Sequence, residues 1–145
     1  MNWYQSTERI MYNYEALCEE YETLTQEYRY LETFGDVRTQ SYGERVFTGG
    51  GSDRVADYVH RKIQIEKRLR RLYPEVKGVS RIYRRLLCDM SVHAERLQRV
   101  LERIYFRQDK AYADSQDKDT LSSMKRELVI MISRSISRCR KRLRK

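Results

Sequence analysis

A chain of 145 residues suits one domain or a short two-part array. It carries 30 Lys and Arg against 21 Asp and Glu, a net charge of +9, so it attracts polyanions, and its 40% hydrophobic content suffices for a modest core only. A single proline and six glycines disfavour a fold of many short strands and favour helices.

The three cysteines, Cys18, Cys88 and Cys139, are far apart, odd in number and not joined by any CxxC spacing. No zinc site, no metal and no disulfide framework is expected, and a reducing cytosol suits such usage. Cys88 and Cys139 fall on apolar helical stripes and are expected in the core. The start, MNWYQSTERIMYNY, lacks a basic segment followed by an apolar run, and no stretch approaches 18 apolar residues. Neither a signal peptide nor a membrane span is expected.

In chain order, the first predicted element is a helix over about 7–33. Tyr14, Leu17, Tyr21, Leu24, Tyr28 and Leu31 alternate spacings of three and four, a heptad seam. Residues 1–34 hold two arginines against seven glutamates, net −5. This acidic segment either packs on the rest of the chain or serves as a dimerisation arm. Residues 35–52, GDVRTQSYGERVFTGGGS, read as a flexible Gly-rich link. No GK[ST] follows the glycines, so this is not a phosphate-binding loop.

A helical domain is predicted from 53 to 145. Ser52 or Asp53 caps a helix whose Val55, Val59, Ile63, Leu69 and Leu72 share a face, while Arg61, Lys62, Lys67, Arg68, Arg70 and Arg71 form a basic patch. Tyr73-Pro74 is expected to end it, because a residue before proline avoids helical angles, and Gly78 prolongs the break. Val79, Ile82, Leu86, Leu87 and Met90 then face inward from a third helix. Ser91 caps a fourth, with Val92, Leu97, Val100, Leu101, Ile104 and Tyr105 apolar. Residues 108–119 read as a loop. The last segment can start at a Thr120 cap, and its apolar residues from Leu121 to Leu143 keep helical spacing throughout. Residues 119–145 hold nine basic residues against two acidic, net +7.

Two stretches resemble a known family. GGGSDRVADYVHRKIQIEKRL, after an acidic helix, resembles phage and prophage transcription regulators of the RinA and ArpU type. AERLQRVLERIYF, residues 94–106, resembles the first helix of a sigma-factor region-four-like unit. The resemblance implies an all-α fold with a helix-turn-helix in the region 92–145, and ISRSISRCRKRL as its recognition helix. Lys125 and Val129 stand where the family usually has alanine and the turn glycine. Either the turn is built differently or residues 120–144 form one long helix.

If the turn exists, Ser133 caps the recognition helix and Arg134, Ser135, Ser137 and Arg138 face base edges in the major groove. Ser133, Lys125, Arg126, Arg140, Lys141, Arg142 and Arg144 then hold phosphates. The resemblance implies a regulator in a bacterial host's cytoplasm, activating late phage genes by binding double-stranded DNA, with RNA polymerase as a further contact and the Tyr/Leu seam as a homodimer interface. No catalytic constellation, cofactor or small-molecule substrate is expected: only His60 and His93 are available as bases, and neither is placed beside a nucleophile. Two other readings stay open: an arginine-rich RNA-binding antitermination factor, and an interaction or inhibitor protein working through its acidic helix.

Overall fold

The computed structural model describes residues 2–42 and 51–144, with side chains for 2–33 and 55–144. It is all-α, with no strand among the described residues. Its helices are α1 (Trp3–Tyr12), α2 (Tyr14–Tyr42), α3 (Gly51–Cys88), α4 (Val92–Val100), a π-helical turn (Leu101–Phe106), α5 (Lys110–Ser115) and α6 (Lys118–Leu143). The chain forms two compact units, one from Met1–Cys18 with Tyr73–Lys145 and the other from Glu19–Leu72.

In the first unit α1, α4, α5 and α6 each start at a side-chain cap. Asn2 accepts from the Gln5 N–H at 2.8 Å, Ser91 from Ala94, Asp109 from Tyr112 and Asp117 from Thr120. Ser91 therefore caps α4 as expected. Asp117, rather than Thr120, caps α6: its Oδ2 takes both the Thr120 amide and the Thr120 hydroxyl. The core gathers Met11 of α1, Val79, Ile82 and Leu86 of α3, Leu97 and Val100 of α4, Leu101, Ile104 and Tyr105 of the π-turn, and Leu128, Val129, Ile132 and Ile136 of α6. Fully burying such a side chain contributes about 1.5–3 kcal/mol.

The π-turn ends with i→i+5 bonding, Arg107 N–H to the Glu102 carbonyl at 2.9 Å. Gln108 follows in the left-handed region at φ 53° and breaks the helix before α5. The turn also presents aromatic rings to α1, α2 and α3. Tyr105 packs on Tyr12 with centroids 4.8 Å apart, and Phe106 stacks on Tyr14 at 4.9 Å and meets Tyr83 at 5.5 Å. The Tyr105 hydroxyl donates to Glu8 Oε2 at 2.8 Å, and Tyr83 donates to Glu102. Burial, then the Glu8 bond, pushes the Tyr105 phenol up; the Glu102 bond, then burial, pushes Tyr83 to about 12.

The second unit holds the rest of α2 and the first part of α3. Here the acidic helix and the basic helix neutralise each other. Arg61 makes a two-pronged bond to Glu27 at 2.8 and 2.9 Å, and Arg68 does the same with Glu20 at 2.8 and 3.0 Å. Tyr28 donates to Glu66 at 2.7 Å, with Lys62 over its ring. Pairing of low-numbered α2 residues with high-numbered α3 residues makes this an antiparallel hairpin. Ile65 and Leu72 are fully buried there.

Several expectations are corrected. The first helix starts at Trp3 and is divided at Asn13, and its continuation α2 runs to Tyr42. Residues 35–42 of the expected link are therefore helical, Gly51 and Ser52 open α3, and residues 43–50 lie outside the described residues. Tyr73-Pro74 does not end a helix: α3 continues through Pro74 and Gly78. An internal proline costs roughly 3 kcal/mol, and burial of Val79, Ile82 and Leu86 beyond it outweighs that. Leu87, Met90 and Val92, expected inside, are 50%, 98% and 66% exposed, because they flank the turn between α3 and α4. Cys88 is exposed for the same reason, whereas Cys139 is buried. The expected loop 108–119 contains α5.

Candidate nucleic-acid interface

The decisive correction concerns α6. Lys118–Leu143 is one continuous helix, so no turn separates a first helix from a recognition helix at 128–133. Val129 explains this locally. A β-branched residue enters the left-handed region only at a cost, and here it is fully buried in the core. Ser133 is consequently mid-helix and caps nothing.

The buried side of α6 carries Leu121, Leu128, Val129, Ile132, Ser135, Ile136 and Cys139. Ser135, expected to read a base, points the other way: it is 7% exposed, and its hydroxyl donates to the Gly78 carbonyl at 2.9 Å. Arg134, Ser137, Arg138, Lys141, Arg142 and Arg144 are exposed. At about 100° per residue, Arg134, Arg138 and Lys141 form a row opposite the buried side, about 10 Å long at 1.5 Å per residue. None of these cations has a carboxylate partner among the described residues. Arg140 is exposed and turned toward Glu75, at 3.8 Å. Lys125 is half-buried and Arg126 exposed near the start of α6, a few turns from the row.

The α3 patch divides differently. Arg61 and Arg68 are held by Glu27 and Glu20, and Lys62 lies 3.9 Å from Glu32. Lys67, Arg70 and Arg71 stay exposed, and Lys67, Arg68 and Arg71 line an open hollow of about 450 Å³ with Gln64. The Tyr/Leu seam of α2 is half-buried at every described member, from Tyr14 to Leu31. Its period was legible, and Tyr28 spends its hydroxyl on α3 of the same chain.

One feature had no motif to announce it. Trp3, Ser6, Thr7 and Ile10 of α1 and Ser133, Ile136, Ser137 and Arg140 of α6 line a groove of about 340 Å³. Both sets follow the i, i+3, i+4, i+7 spacing of a single helix face, the only sequence signal available. Among the described residues no group of three or more His, Cys, Asp or Glu is arranged to hold a metal, and no helix is long and apolar enough to cross a membrane. Comparison with family models, curated proteins and solved structures finds no match.

Proposed function

We propose that this protein is a DNA-binding regulator of transcription that engages duplex DNA along the exposed face of α6, and that it acts by binding rather than by catalysis. The observation that carries this reading is the contrast in charge pairing. In the α3 patch Arg61, Lys62 and Arg68 are met by glutamates of α2 while Lys67, Arg70 and Arg71 are not, whereas none of Arg134, Arg138, Lys141 and Arg142 of α6 has a carboxylate partner among the described residues. A helix 10–12 Å across suits a major groove about 12 Å wide, and a continuous basic helix can enter it without a preceding turn, as basic-zipper helices do. In this reading Arg134 and Arg138 meet base edges, with Lys141, Arg142 and Arg144 on phosphates. The role in late phage gene activation rests on the sequence resemblance alone.

Symmetric half-sites follow if two copies pair. Val55, Val59 and Ile63 are 41%, 44% and 44% exposed in a row along the α2–α3 hairpin. A two-helix hairpin completes its apolar layer by pairing with a second hairpin as a four-helix bundle.

Selection of bound sequences from a random duplex pool tests the reading. Enrichment of one site is expected. Arg134→Ala and Arg138→Ala should relax preference at individual base pairs, each worth about 1–3 kcal/mol, while Arg142→Ala weakens all duplexes alike. The missing turn favours a second reading, in which the arginine-rich helix binds structured RNA. Preference for an RNA hairpin over every selected duplex at equal salt would establish that reading instead.

A further inference from the structure

The groove between α1 and α6 combines the chemistry of a nucleotide site. Its volume of about 340 Å³ falls within the roughly 300–1,000 Å³ typical of small-ligand pockets. Ile136 is part of its wall and is buried, and Trp3 stands at its edge, 58% exposed. Trp3 is steadied by Tyr4, whose ring meets it edge-on at 5.8 Å. Arg140 offers a guanidinium whose carboxylate neighbour among the described residues, Glu75, is at 3.8 Å, beyond ordinary hydrogen-bond distance.

The serines add a second observation. Of the groove's hydroxyls, that of Thr7 turns back onto the Trp3 carbonyl four residues earlier, at 2.8 Å. Ser6, Ser133 and Ser137, all lining the groove, make no such bond and have no protein partner among the described residues. Three available hydroxyls, a guanidinium and an aromatic ring are what a nucleotide uses: a platform for the base and donors for the phosphate.

We propose that this groove holds one unpaired nucleotide, its base stacked on Trp3 and its phosphate on Arg140 with Ser133 and Ser137. The proposal rests on the nucleic-acid reading above and adds to it. Ser137 and Arg140 belong both to the groove and to the C-terminal turns of α6, so a strand followed by the arginine row continues into the groove. The preferred ligand is then a duplex with a single-stranded extension rather than a blunt one.

Trp3 is the only tryptophan in the chain, so its emission reports on the groove directly. The full chain is titrated with a blunt DNA duplex and with the same duplex carrying a short oligothymidine overhang. The overhang duplex should quench Trp3 emission and bind about tenfold more tightly. By labelled-DNA anisotropy, Trp3→Ala should bring the ratio of the two affinities to one, while Trp3→Phe keeps most of it. Circular dichroism confirms that each variant folds, and the wild-type quench does not depend on them. Equal affinity without quenching overturns the groove proposal and leaves duplex binding standing. Binding of neither DNA at low salt overturns both.

Discussion

At Gly78 the absence of a side chain has a measurable consequence. A methyl group added there would lie 2.5 Å from Ile136 Cγ1 and 2.9 Å from the Ile136 Cα and N. Alanine gains up to about 1 kcal/mol over glycine in a helix interior, but the clash is with backbone on a fully packed partner, and overpacking costs about 1–3 kcal/mol or more. Gly78→Ala should therefore destabilise the protein by about 2 kcal/mol in urea unfolding, opposite in sign to the helix-propensity effect. Ser135→Ala removes the bond to the Gly78 carbonyl at the same crossing and should cost about 1 kcal/mol. Neither role was legible in the sequence. Glycine four residues after a proline reads as a prolonged helix break, and a serine among arginines reads as a nucleic-acid contact. Only the partner helix, 57 residues away, shows that both residues serve a close approach of α3 to α6.

Among elements, the long helices were legible wherever local periodicity decided them. The Tyr/Leu seam, the Ser91 cap and the apolar stripe of α6 all survive. What failed were terminations: Pro74 and Gly78 are overruled by burial against distant residues, which a single sequence does not display, and of the two readings open for residues 120–144 the continuous helix is the one found. The continuity of α6 can be tested at Val129, which is fully buried. Were a turn present there, glycine would suit it. In a continuous helix Val129→Gly loses the buried side chain and about 1 kcal/mol of propensity besides, so a loss of about 3 kcal/mol is expected by chemical denaturation. The α2–α3 hairpin responds instead to pH. The bonds from Arg68 and Arg61 hold the Glu20 and Glu27 carboxyls below the ordinary glutamate value. A lowered folded pKa gives stabilisation that is complete above about pH 5 and is lost as pH falls through the ordinary value of about 4.3 toward the lowered one. The phenols act with the other sign. Bonding to Glu66 raises Tyr28, bonding to Glu102 raises Tyr83 to about 12, and burial raises Tyr105. Their contribution is full below the ordinary tyrosine value of about 10 and is lost as pH rises past it. Far-UV circular dichroism across pH should show helix loss at both ends, and Tyr105→Phe should shift the alkaline limb to higher pH.

For the whole molecule, a net charge of +9 says that polyanions are attracted but not where they land. Composition alone weights the patch of α3 as heavily as the arginines of α6. The two differ only once folding brings α2 against α3, where glutamates that look like a solubilising face answer Arg61 and Arg68 directly. The candidate site was thus legible as a segment and not as a set of residues. Arg134 and Arg138 are exposed, Ser135 is buried, and Trp3 carried no signal until α1 was placed along α6. Counterion release turns this distinction into a number. Each phosphate neutralised on duplex DNA adds about −0.9 to the slope of log affinity against log salt. If Lys141, Arg142 and Arg144 carry the phosphate contacts, the wild-type slope is roughly −3, and Arg142→Ala should flatten it by about 1. Arg61→Ala removes the same formal charge, but one that Glu27 already occupies at 2.8 Å. Its removal frees that carboxylate and should leave the slope within error of wild type. Equal flattening by both variants would mean that the protein responds to total charge, and the assignment of the interface to α6 would fall.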